Sequence, residues 1–225
     1  MGGVIADPAI GAPGSVLVLA CDAVLFDCDG VLVDSDESVL AAWNRWAAEG
    51  RLDPHAVTSS AHGRRAADTV AAFLPPDEVA EGIARINRYE LEDAVRVRAI
   101  PGARDLLMSM PEGTWAVVTS GTRALAEARL RAAGLPPPDV LVTADDVVHG
   151  KPDPEGYSTA ARRLGIDPAR TTVVEDAVTG MVAARAAGVR HVIGVGERGI
   201  DGDPDVHVDD LRALAWSDAG LRVRR

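Results

Sequence analysis

Residues 24–35 read VLFDCDGVLVDS: an apolar run that ends in two aspartates one residue apart, followed at once by glycine. Side chains alternate along a strand, so residues two apart share a face. If 24–27 is a strand, Asp27 and Asp29 converge on one spot at its C-terminal end. Two carboxylates pressed together repel, and one is driven toward protonation unless something positive lies between them. The pair therefore reads as a cation site or an acid–base device. Its alternative is a solvated turn, which Asp-Gly also suits.

Outward from this stretch, short β-branched runs alternate with Ala-rich amphipathic segments, the pattern of a parallel sheet flanked by helices. Strands are expected at 24–27, 115–119, 140–142, 172–175 and 191–195, with a short one at 206–208. Helices are expected between them at 103–110, 123–133, 155–164 and 178–187. Residues 34–98 break the alternation, with one helical pattern following another and no convincing strand. The organisation expected is an α/β, Rossmann-like core over 22–33 and 99–225, with a small helical cap over 34–98 inserted after the first strand. Gly30 and Pro101-Gly102 are the candidate hinges, and Trp43 and Trp46 read as the cap's own core.

Composition narrows the function. The 225-residue chain is 47% hydrophobic, ordinary for a globular fold, and its formal charge of −11 argues against nucleic acid or anionic membrane as a partner. No run approaches the ~20 apolar residues of a membrane span. Residues 1–21, rich in Gly and without a basic start, read as a loose leader and not a secretory signal. Two cysteines, Cys21 and Cys28, make no disulfide framework and point to a cytoplasmic protein with reduced thiols. Of 23 basic residues only Lys151 is lysine, which marks its loop for attention.

In an open α/β sheet ligands bind beyond the carboxyl ends of the strands. There the sequence offers Asp27 and Asp29, then Thr119-Ser120-Gly121 leading into a helix, then Gly150-Lys151-Pro152, then Glu175 and Asp176. Hydroxyls and amides at a helix start bind phosphate, although ordinary N-capping uses the same residues. Several carboxylates with one lysine suit Mg²⁺ and a phosphate together.

The stretches FDCDGVLVDS, VVTSGT, GKPDPEGY and VVEDAVTGMVAARAAG resemble the four motifs of the haloacid dehalogenase-like hydrolases, in order and over residues 22 to about 215. The insert resembles the cap of the branch that includes β-phosphoglucomutase and the sugar-phosphate phosphatases. The resemblance implies Asp27 as nucleophile and Asp29 as general acid–base. It implies Mg²⁺ held by Asp27, the Asp29 carbonyl and Asp176, with Glu175 as ligand or close behind. Thr119 and the backbone of Ser120 and Gly121 would hold phosphoryl oxygens, and Lys151 would counter their charge. Arg123, one turn into the next helix, would reach the phosphate unless it is simply solvated. In SSAHGRRAAD (59–68), His62 and Arg64 or Arg65 would meet sugar hydroxyls, the alternative being a turn at Gly63 with solvated arginines.

The activity implied is a Mg²⁺-dependent phosphatase acting on a small sugar or polyol phosphate through an aspartyl-phosphate, in a monomer or weak homo-oligomer. Asp29 speaks against a dehalogenase, and the absence of lysine from the cap speaks against Schiff-base phosphonate cleavage. A phosphomutase using the same core residues is the alternative. A binding protein that kept the fold and lost its chemistry is opposed by the complete residue set.

Overall fold

The computed structural model describes residues 16–224. The chain enters through β1 (Val16–Leu19) and β2 (Ala23–Phe26), then β3 (Val33–Asp34) leads into an insert of four helices. These are α1 (Asp36–Glu49), α2 (Pro54–Ala61), α3 (Ala66–Phe73) and α4 (Val79–Asp93), and β4 (Arg98–Ala99) returns the chain. Alternation then resumes with α5 (Ala103–Ser109), β5 (Trp115–Val118), α6 (Arg123–Ala132), β6 (Leu141–Val142) and α7 (Glu155–Leu164). It continues through β7 (Thr171–Glu175), α8 (Val178–Ala186), β8 (His191–Val195) and β9 (Val206–Val208) to the hairpin β10 (Leu214–Ser217) and β11 (Gly220–Arg224).

Six strands form an all-parallel sheet in the order β6-β5-β2-β7-β8-β9. Both faces are covered, so its strands are largely apolar, with Thr171, Thr172 and Glu175 of β7 the buried polar exceptions. Val24, Phe26, Val117, Val174 and Ile193 pack on one side with α5 and α6. Leu25, Ala116, Val118, Val173 and Val192 pack on the other with Tyr157, Ala160 and Met181 of α7 and α8. Each expected strand of this sheet is present within a residue or so, because a doubly buried β-branched run flanked by turn residues has few other readings.

The insert has its own core of Trp46, Val57, Val70, Ile86 and Tyr89. Trp43 meets Trp46 edge-on at 5.5 Å, and the Trp46 indole donates to the Gly82 carbonyl. Two expectations are corrected at its borders and at the N-terminus. β3 and β4 pair antiparallel, Val33 with Ala99 and Asp34 with Arg98, so a two-residue ladder closes a segment expected to hold no strand. The expectation of a loose leader over residues 1–21 is corrected from Val16 onward. Residues 1–15 lie outside the described residues, but β1 pairs with β11, and β10 completes a three-stranded antiparallel sheet. Leu19, Leu214, Leu221 and Val223 of that sheet join the core beneath α5. Among the described residues no helix is long and apolar enough to cross a membrane.

Candidate active site

Strand β2 lies between β5 and β7, where successive connections leave on opposite sides and the carboxyl ends open a crevice. Asp27 follows β2 immediately and is anchored by its amide on the Val174 carbonyl. Past that point the backbone turns: Gly30 is left-handed at φ +78°, and a side chain there would overlap the Asp176 carboxylate. Asp27 and Asp29 thus reach one cavity by a turn after the strand, not by strand alternation. Cys28 between them is fully buried among apolar side chains, and burial pushes its thiol up.

The centre of the site is a buried charge cluster. Lys151 Nζ lies 2.5 Å from Asp27 Oδ1 and 2.5 Å from Glu175 Oε1. Glu175 also accepts from the Tyr157 hydroxyl at 2.9 Å, and its other oxygen takes the amides of Asp176 and Ala177 at the start of α8. Burial disfavours the lysine's charge, but Asp27 and Glu175 outweigh it and hold its pKa well above the ordinary lysine value. Burial, then repulsion from Glu175 and Asp176, holds Asp27 above the carboxylate range against the pull of Lys151. Burial and Glu175 push Asp176 up to about 7, although Arg198 pulls the other way. The cluster carries more negative charge than its own cations neutralise.

Asp27, Glu175 and Asp176 each offer a carboxylate oxygen, all within 4.8 Å of one another and all buried. Oxygen-only donors with excess negative charge fit a hard divalent cation such as Mg²⁺. Both Glu175 oxygens are already taken by protein donors, so Asp27 and Asp176 are the better direct donors and Glu175 steadies the lysine.

A cavity of about 230 Å³ lies against this cluster, roofed by the insert. Thr119, Ser120 and Gly121 line it beyond β5. The Gly121 amide is spent on Thr119 Oγ1 at 3.0 Å, and Ser120 Oγ donates to the Gly63 carbonyl of the insert at 3.0 Å. His62, Arg64 and Arg65 also line it. Arg65 is a strut between insert and core, its guanidinium forked onto Asp68 and donating to the Val148 carbonyl at 2.9 Å. His62 is held by Nδ1 against the Thr58 carbonyl, and Arg64 is exposed. The expectation for Arg123 is corrected: it does not line the cavity, but bonds Asp146 at 2.8 Å and the Leu141 carbonyl at the sheet edge. As the first residue of α6 it lies at the sheet edge, where Asp146 offers a stronger partner than solvent.

Four lining residues escaped the sequence reading. Ser35, at the start of α1, donates to Asp29 Oδ1 at 2.7 Å. Arg129 of α6 donates to the same oxygen at 2.9 Å and approaches Glu90 of α4 at 3.6 Å. Arg198, after β8, bridges Asp176 and Asp36. Burial pushes Glu90 up to about 7 despite the pull of Arg129. The one signal was Arg129 on the apolar stripe of α6 with Leu125, Ala126 and Leu130, hidden among 22 arginines.

A family model for haloacid dehalogenase-like hydrolases matches residues 21–188. The chain is 40% identical over 182 residues to hexitol phosphatase A of Escherichia coli, covering 79% of this chain and 84% of that one. It is 39% identical over 210 residues to validoxylamine A 7'-phosphate phosphatase of Streptomyces hygroscopicus, covering 87% and 97%. Among solved structures, a hydrolase from Pseudomonas syringae superposes with a TM-score of 0.76 at 25% identity, covering 84% of this chain and 94% of that one.

Proposed function

Because this chain belongs to the haloacid dehalogenase-like hydrolases, we propose that it is a phosphatase that hydrolyses a small sugar or polyol phosphate through an aspartyl-phosphate on Asp27. The observation that carries the reading is the buried Asp27–Lys151–Glu175 chain beside Asp29 at one cavity. The relatives named for hexitol phosphate and validoxylamine phosphate cleavage support the substrate class. A cavity of about 230 Å³ favours a small monoester over a nucleotide.

Asp27 attacks phosphorus in line, and the leaving sugar oxygen takes a proton from Asp29. Asp29 then accepts a proton from water as that water attacks the aspartyl-phosphate. Lys151 keeps Asp27 oriented and offsets charge on the phosphoryl oxygens, which the Thr119 hydroxyl and Ser120 amide receive. Mg²⁺, held by Asp27, Asp176 and the Asp29 carbonyl with Glu175 behind, would supply the charge neutralisation that lets a dianionic ester approach a carboxylate. The insert excludes water and presents His62, Arg64 and Asn87 to the rest of the substrate.

The test is a phosphate-release screen over sugar, polyol and nucleotide monophosphates, with Mg²⁺ or with chelator, alongside Asp27→Asn. Release from sugar or polyol phosphates that requires Mg²⁺ and vanishes in the variant is expected. No release from any substrate, with isomerisation of a sugar phosphate instead, would replace the phosphatase with a phosphomutase.

A further inference from the structure

Helix α6 turns Leu125, Ala126, Arg129 and Leu130 inward. Three are what a core-facing stripe requires; the fourth is an arginine exposed by only 2%. Facing it, α4 of the insert buries Glu90 beside Ile86 and Tyr89. Two helices from different parts of the chain thus each place a charge where an apolar side chain would be expected. Apolar replacement of a buried ion pair is often neutral or stabilising, so stability alone does not account for such an arrangement.

The geometry shows what it serves. Arg129 Nη1 donates to Asp29 Oδ1 at 2.9 Å, and Ser35 donates to that same oxygen. Asp29 Oδ2 has no hydrogen-bond partner among the described residues, so one oxygen of the carboxylate is clamped and the other left for chemistry. The rest of the guanidinium is unfinished. Arg129 Nε and Nη2 are buried without a hydrogen-bond partner among the described residues. The Glu90 carboxylate stands 3.6 Å from Nη2, and closing that gap to hydrogen-bond length takes about half an ångström of movement by α4. A guanidinium is a rigid fork, so engaging Glu90 on one arm fixes the direction of the other.

We propose that Arg129 is a positioning residue for proton transfer: it orients the Asp29 carboxylate and, through Glu90, couples that orientation to the seat of α4 over the substrate. The inference rests on the reading of Asp29 as the acid–base. It adds a link by which closure of the insert completes the proton-transfer machinery.

The readout is how strongly activity depends on the leaving group. An alkyl phosphate expels an alkoxide that needs a proton from Asp29, whereas p-nitrophenyl phosphate expels a phenolate that needs none. The ratio of kcat/KM for the best alkyl substrate to that for p-nitrophenyl phosphate is measured in wild type, Arg129→Met, Arg129→Lys and Glu90→Gln, with melting temperatures recorded for each. Arg129→Met is expected to lower the ratio about 30-fold, part of the 10²–10⁴-fold that general acid–base catalysis supplies. Arg129→Lys keeps the charge without the fork and should fall between that variant and wild type. Glu90→Gln should lower the ratio about threefold, a modest share of the same effect, and carries the test alone if Arg129→Met does not fold. Equal loss on both substrates in these variants, or no loss on either, would overturn the inference while leaving the phosphatase intact. Wild type that cleaves neither substrate would overturn the phosphatase reading and this inference with it.

Discussion

Asp27 and Lys151 meet where neither charge is stable alone. The lysine is 7% exposed and serves two carboxylates, so removing it strands both Asp27 and Glu175. Lys151→Met should destabilise the protein by about 3–5 kcal/mol at pH 8, the usual cost of leaving a buried charge unpaired. The loss should shrink near pH 5 as a carboxylate takes up a proton; urea denaturation at the two pH values measures it, and an equal loss at both would count against the account. Glu90 makes the opposite prediction. Its pKa rises from 4.5 to about 7 on folding, so the folded state prefers the neutral acid, and that stability is lost as pH rises through this window. The shift is worth about 3 kcal/mol. Glu90→Gln should therefore raise the melting temperature at pH 8 and leave it nearly unchanged at about pH 4, below the unfolded pKa. The reverse pattern would show that Arg129 outweighs burial. Lys151 was legible in the sequence because it is the only lysine. Arg129 and Glu90 were not, because each looks like a solvated helical charge until the two helices are brought face to face.

At the scale of elements, α8 shows how a helix start serves the site. Glu175 ends β7 and bonds the amides of Asp176 and Ala177, so strand, acidic pair and helix form one rigid corner. Gly180 lies in the first turn of α8 directly against the Glu175 carboxylate, and a Cβ there would overlap it. Gly→Ala within a helix ordinarily gains up to about 1 kcal/mol. Gly180→Ala should instead lower the melting temperature and reduce kcat at least tenfold, since displacing a catalytic group by about an ångström costs on that scale. A raised melting temperature with unchanged kcat would show that the corner is not needed. The parallel strands were legible because burial on both faces makes them short, largely apolar β-branched runs. The hairpin β10–β11 was missed although Leu214 and Trp216 alternate toward Leu221 and Val223 around Asp218-Ala219, because its strands carry Arg222 and Arg224 outward and look like a charged tail.

For the whole molecule, the sheet supplies a rigid corner of charge and the insert supplies the roof, joined by the β3–β4 ladder, Arg65, Ser120 and Arg198. The sequence suggested that division where strand–helix alternation gives way to successive helical patterns over 34–98. What roofs the cavity was less legible, because insert and core meet through residues far apart in the chain, such as Arg198 with Asp36. The central claim is that Asp27 carries the phosphoryl group during turnover. It is tested most directly by acid-quenching the enzyme during steady-state hydrolysis of its best alkyl phosphate and mapping phosphoryl groups by peptide mass spectrometry. A phosphoryl group on Asp27, absent when Asp27→Asn is treated in the same way, is the predicted result. Sustained phosphate release by Asp27→Asn, with no phosphoryl group on the wild-type chain, would contradict it.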